Sequence, residues 1–200
     1  ILIRDAEKYL SNHIANIVVL YDSPKFYCLD LSIKKSFDSE VSIKNTFSNL
    51  IEEASFIVSQ NNFKSQIIHV VVNNIRIDKN EKLEKIVENI KIKSLTLDIK
   101  FICINKIFVD KISDILKKNN LKITNLYCSS FVKTNSYKKK FDDKNHIFFL
   151  DIGHNRSSAF TYINSKLETF KSIPIGSNNI TKDISEVLKL DLDFSEQLKK

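Results

Sequence analysis

A carboxylate beside a tight turn is the first feature that could do chemistry. Asp151-Ile152-Gly153 closes a dense apolar run, His-Ile-Phe-Phe-Leu-Asp-Ile over residues 146–152, of the kind that builds a strand buried on both faces. The chain has two glycines, Gly153 and Gly176, and a sequence so poor in glycine keeps one where a side chain would obstruct the backbone. Turn N–H groups at a hairpin tip converge into a nest that holds phosphate. An aspartate next to that nest holds Mg2+ directly or through water. An ordinary β-hairpin carries the same three residues, so the tripeptide leaves both readings open. The segment after Gly153 is strand-like, which excludes a Walker loop and a dinucleotide-binding fingerprint, since both require a helix and further glycines there.

Other reactive side chains form no constellation. Glu196 and Lys199 share a helical face by spacing, as an i, i+3 ion pair would. His69 lies in an apolar strand and reads as a core histidine, whereas His13 and His146 read as surface or strand-end residues. Cys28, Cys103 and Cys128 have no metal-ligand spacing and read as three buried, reduced thiols. No nucleophilic triad, Cys/His pair or carboxylate dyad stands out, so no catalytic residue is assigned.

The elements that must position Asp151 can be read from periodicity. The chain is 42% hydrophobic and 28% charged, enough for a core. Residues 1–12 have helical spacing, and Ile14 to Leu20 reads as a strand. Asp22-Ser23-Pro24-Lys25 is a turn signal. Tyr27, Leu29, Leu31 and Ile33 then alternate with polar residues, which predicts a hairpin with the preceding strand. A helix from Ser42 buries Phe47, Leu50, Ile51, Ala54 and Val58. Strands come next at Ile67–Val72 and Ile75–Ile77, then a short helical stretch over 81–91. Leu97–Cys103 is a strand, Phe108–Leu116 a helix, Leu121–Cys128 a strand, and 133–145 a polar loop. Two more strands turn at Asn164-Ser165, and a helix carries Ile180, Ile184 and Val187. The class is α/β.

The formal net charge of +7 invites a nucleic-acid reading. Arginine, the better phosphate and base reader, occurs only as Arg4, Arg76 and Arg156, and Lys138-Lys139-Lys140 with Asp142-Asp143 reads as a solvated loop. No nucleic-acid partner is expected. No apolar run reaches the roughly 18–20 residues of a membrane helix. The opening residues turn polar at once, unlike a secretory signal, and the chain does not begin with Met, so these residues are read as part of a longer protein.

Downstream of Gly153, Ile173-Pro174-Ile175-Gly176-Ser177-Asn178-Asn179-Ile180-Thr181-Lys182-Asp183-Ile184 joins a strand to a helix, and Phe194-Ser195-Glu196-Gln197-Leu198-Lys199 comes after it. Here the chain resembles the actin/Hsp70 ATPase superfamily, most closely the FtsA family of bacterial cell division. Asp151, Gly153, Pro174, Gly176, Ile180, Thr181, Asp183, Ile184, Glu196 and Lys199 match the family motifs in order and with similar spacing. His69-Val70-Val71 to Ile77-Asp78 and the unit from Leu97 to Ile123 resemble family segments upstream. The family's phosphate loop reads Asp-Ile/Met-Gly-Gly-Gly-Thr. Here it reads Asp151-Ile152-Gly153-His154-Asn155-Arg156, so two glycines and the threonine are replaced, and Arg156 and His154 supply charge instead. Ser177 replaces the second glycine after Pro174, and Asn120 another family glycine.

The resemblance implies an actin-like (ribonuclease H-like) fold with an inserted α+β subdomain of SHS2 type. It places a first-lobe helix at 1–12, the insert at 13–95, a return segment of the first lobe at 96–147, and the start of the second lobe at 148–200. It implies ATP with Mg2+ at Asp151, Gly153, His154, Asn155, Arg156, Gly176, Glu196 and Lys199, with Asp151 acting on the metal indirectly. Hydrolysis is expected to be weak or absent. The function implied is that of an adaptor on the cytoplasmic side of the bacterial inner membrane, at the division site. Its implied partners are FtsZ, later division proteins, other copies of itself, and the membrane through a C-terminal helix outside these residues. Two alternatives stay open: a pilus-assembly or shape-determining actin-like ATPase, and a structural relative with a decayed nucleotide site.

Overall fold

The computed structural model describes residues 2–78, 81–87, 90–141 and 144–200. After helix α1 (Leu2–Leu10), strand β1 (Asn16–Tyr21) leads to β2 (Tyr27–Ser42), helix α2 (Ile43–Asn61), β3 (Ser65–Ile77), β4 (Glu81–Leu83) and β5 (Lys91–Asn105). Helix α3 (Lys106–Lys117), β6 (Lys122–Cys128) and α4 (Ser129–Lys138) come next, then a 3-10 turn at Lys139–Phe141. The chain continues through β7 (His146–Ile152), β8 (Ser157–Ile163), β9 (Lys166–Ile173), α5 (Ser177–Leu188) and α6 (Leu192–Lys199).

The strands form three sheets: β1 parallel to β6, an antiparallel sheet in the order β2-β5-β3-β4, and an antiparallel sheet β7-β8-β9. Strand β5 organises the middle sheet because its apolar residues lie on both faces. Leu95, Leu97, Ile99, Phe101 and Cys103 pack with Ile43, Leu50, Ala54 and Val58 of α2. The spacing of four between the last three puts them on one stripe of α2. Ile102 and Ile104, on the other face of β5, join a second core with Phe26, Cys128, Phe131, Phe160, Tyr162, Leu167 and Phe170. The middle sheet therefore sits between α2 and the β7-β8-β9 sheet.

A side-chain pin fixes β3 against β6. His69 Nε2 accepts a hydrogen bond from the Cys128 backbone N–H at 2.9 Å, and the ring stacks on Tyr127 with centroids 5.6 Å apart. Burial pushes the imidazole down from its ordinary 6.5 to about 4, since a low-dielectric site disfavours the charged form. The three cysteines are free thiols. Burial raises Cys28 to about 12 and Cys103 to about 11.

Several elements differ from expectation. β1 does not form a hairpin with β2; it pairs with β6, which brings residues 16 and 122 together. A parallel pair requires a long crossover, and everything from β2 to α3 is that crossover. The expected boundary at 95/96 falls inside β5, whose strand runs unbroken from Lys91 to Asn105. The stretch 81–91, expected to be helical, holds β4 and begins β5 (88 and 89 lie outside the described residues). Much of the expected loop 133–145 is α4 and the 3-10 turn, while Asp142 and Asp143 also lie outside the described residues. α4 escaped detection because its contribution to the core is small, chiefly Phe131. β7 is not buried on both faces. Phe148, Leu150 and Ile152 are exposed, because β7 sits in an antiparallel sheet packed on one side.

Candidate functional site

Asp151, near the end of β7, does not face an open nest. The Arg156 guanidinium lies on it, with Nη2 donating to Asp151 Oδ2 at 2.8 Å and Nη1 donating to the Asp151 carbonyl at 3.1 Å. Nη2 also donates to Oδ2 of Asp22, just after β1, and Nη1 donates to Ser158 Oγ at 3.3 Å. Asp22 Oδ1 in turn accepts from the Ser130 N–H at the start of α4, at 3.2 Å. Lys133 Nζ stands 3.9 Å from Asp151 Oδ2. The Arg156 side chain is 10% exposed. Burial opposes its charge, but hydrogen bonds and charge from Asp151 and Asp22 outweigh that and raise its pKa further.

The turn 153–156 is closed by its own backbone, Gly153 N–H donating to the Arg156 carbonyl at 2.8 Å. Its outer carbonyls face α5. Ser177 N–H donates to the Gly153 carbonyl at 2.9 Å, and Asn178 N–H to the His154 carbonyl at 2.8 Å. Asn178 Nδ2 adds a bond to Asn155 Oδ1 at 3.1 Å, and the Gly176 N–H donates to Asn179 Oδ1 at 3.0 Å. Donors left orphaned at a helix N-terminus make an anion site. Here the donors of Gly176, Ser177 and Asn178 are taken by the chain itself. His154 and Asn155 are exposed at the tip of the turn.

Glu196 and Lys199 lie on α6 and pin it to α5. Glu196 Oε2 accepts from Thr181 Oγ1 and from Lys199 Nζ, both at 2.6 Å. Lys199 Nζ also donates to Thr181 Oγ1 at 2.8 Å and to the Ser177 carbonyl at 3.2 Å. Hydrogen bonds from Lys199 and Thr181 hold the Glu196 carboxyl below its ordinary range. The two knots meet at Ser177, whose N–H serves the turn and whose carbonyl serves Lys199. The expected site residues are thus brought together, each engaged by a neighbour. Among the described residues, no group of three or more His, Cys, Asp or Glu is placed to hold a metal ion.

Sequence reasoning missed Asp22, Ser130, Ser158, Lys133 and the part Thr181 plays. Asp22 carried one usable signal: like Asp151, it is a carboxylate at the end of an apolar strand. The scarcity of arginine was another, since only three of the 31 basic residues are Arg. Arg76 is bidentate to Asp98 at 2.7 and 2.9 Å, and Arg156 binds two aspartates. Both arginines stand where a planar fork is needed.

The model of the cell division protein FtsA family matches residues 148–200, the segment carrying every expected site residue. Among solved structures, the PilM-PilN type IV pilus biogenesis complex superposes with a TM-score of 0.63 at 12% identity, over 98% of this chain and 55% of that one. The chain has the actin-like ATPase fold. It spans about half the length of that solved protein. A Bacteroides thetaiotaomicron protein with actin-like ATPase fold and unknown function overlaps at a TM-score of 0.36 and 12% identity, over 94% of this chain and 62% of that one. No curated protein matches the sequence.

The actin-like fold raises the question of ATP and Mg2+. The residues present do not fit a magnesium-bound phosphate. Arg156 covers the Asp151 carboxylate that the resemblance assigned to the metal. The Gly153 N–H and the first donors of α5 are spent inside the chain. Gly176, expected to admit phosphate, instead admits the turn: a Cβ there would stand 2.5 Å from the Gly153 and His154 carbonyl oxygens.

Proposed function

We propose that this chain is the central part of an FtsA-type cell-division adaptor. In that reading it acts at the division site, on the cytoplasmic side of the bacterial inner membrane. It links FtsZ filaments to the membrane through a C-terminal helix outside these residues, recruits later division proteins and associates with its own kind. The observation that carries the reading is the FtsA family match over 148–200, where the motif residues keep their order. β1, β6 and α4 are assigned to the first lobe, and β7–β9 with α5 and α6 to the second. The segment from β2 to α3 is assigned to the insert, which moves its limits from those expected. The closed turn supports an assembling protein with weak or absent ATP turnover.

A second reading, a pilus-assembly adaptor, is favoured by the superposition of 98% of the chain on the PilM-PilN complex. Binding of the purified full-length protein to FtsZ polymers and to PilN separates the two. Co-sedimentation with FtsZ polymers, with no retention of PilN, is the result expected. Retention of PilN without FtsZ co-sedimentation would replace the first reading by the second.

A further inference from the structure

Two carboxylates from different sheets meet at one nitrogen. Asp22 comes directly after β1 and Asp151 is the penultimate residue of β7, and both place an Oδ2 on Nη2 of Arg156. Two carboxylate oxygens converging on one point with a carbonyl nearby is an arrangement that a hard divalent cation also satisfies. Without a cation there, two adjacent carboxylates repel. Lys133 stands 3.9 Å from Asp151 and is half exposed.

We propose that Arg156 is the resident cation of this two-carboxylate site: it takes the place of a divalent metal ion and holds the turn 153–156 shut with no nucleotide bound. The guanidinium fork suits the position because it reaches both carboxylates, the Asp151 carbonyl and the Ser158 hydroxyl together. The same side chain shapes the turn, since the Arg156 carbonyl accepts from the Gly153 N–H. The turn then presents its carbonyls to α5. Closure that other chains would draw from a ligand is built into this one. The proposal needs only the actin-like fold and stands whether the division or the pilus reading holds.

Thermal melting of the full-length protein with and without millimolar MgCl2 or MgATP tests it, in the wild type, Arg156→Ala and the double variant Arg156→Ala/Asp22→Asn. The wild type is expected to melt at the same temperature in every condition. R156A melts several degrees lower, and magnesium restores most of the loss because the exposed carboxylate pair now binds the metal. The double variant, with one carboxylate neutralised, gains nothing from magnesium. A wild type stabilised by MgATP would overturn the proposal, as would an R156A protein indifferent to magnesium. Should R156A fail to fold with or without magnesium, the wild-type titration alone decides. The assay contains no partner protein, so its failure is distinct from failure of the adaptor reading.

Discussion

Gly176 lies directly against the turn that opens at Gly153, so closely that a Cβ on Gly176 would stand 2.5 Å from the Gly153 carbonyl oxygen and 2.6 Å from the Arg156 nitrogen. The contact is backbone on backbone, and no rotamer change relieves it. At Gly153 the nearest atom to an added Cβ is the Arg156 carbonyl oxygen at 3.3 Å, and the next is in the Arg156 side chain at 3.6 Å, an ordinary van der Waals distance.

The two glycines should therefore differ when replaced. Gly176→Ala forces the turn and the start of α5 apart, costing about 2–3 kcal/mol by the scale of overpacked sites. Gly153→Ala needs a shift of only a few tenths of an ångström and costs roughly 1 kcal/mol or less. Urea unfolding of both variants checks this. Equal losses would mean that Gly176 is an ordinary turn glycine.

His69 makes stability depend on pH. Its folded-state value of about 4 lies below the ordinary 6.5, so the unfolded chain takes up a proton that the folded chain refuses. Stability contributed by the neutral ring is complete above about pH 6.5 and falls as pH drops towards about 4. His69→Gln retains an acceptor for the Cys128 N–H but cannot titrate. Its urea midpoint should lose less than the wild type's between neutral pH and about pH 5. Equal pH slopes would show that other groups carry the dependence.

The cysteines should be inert while the protein is folded. Cys103 and Cys128 are buried, and burial raises all three thiols, leaving little thiolate at mildly alkaline pH. A chromogenic disulfide reagent at about pH 8 should label none rapidly in buffer and all of them in denaturant. Fast labelling of one thiol in buffer would locate a local opening.

Much of the site was legible because it lies within about fifty residues of sequence that keep their order. Asp151, Gly153, Gly176, Glu196 and Lys199 were all expected together, and they do gather. Their partners were harder to read. Asp22 meets Arg156 across 134 positions, and only the parallel pairing of β1 with β6 brings it there. Tyr21 and Cys128, which end the two strands, pack in the core that Ile102 and Ile104 of β5 share, whereas local alternation in β1 and β2 suits a hairpin equally well. The family resemblance implies room for a ligand at Gly176, yet the room is filled by the chain's own backbone. Glycine scarcity marks a close approach without saying what approaches.

Hydrogen–deuterium exchange over residues 153–157 and 176–179 of the full-length protein, with and without MgATP, tests the closed turn most directly. The amides of Gly153, Gly176, Ser177 and Asn178 are hydrogen-bonded within the chain, so they should be protected without ligand and unchanged by it. Rapid exchange without ligand, slowed when MgATP is added, would show that the turn closes on a nucleotide.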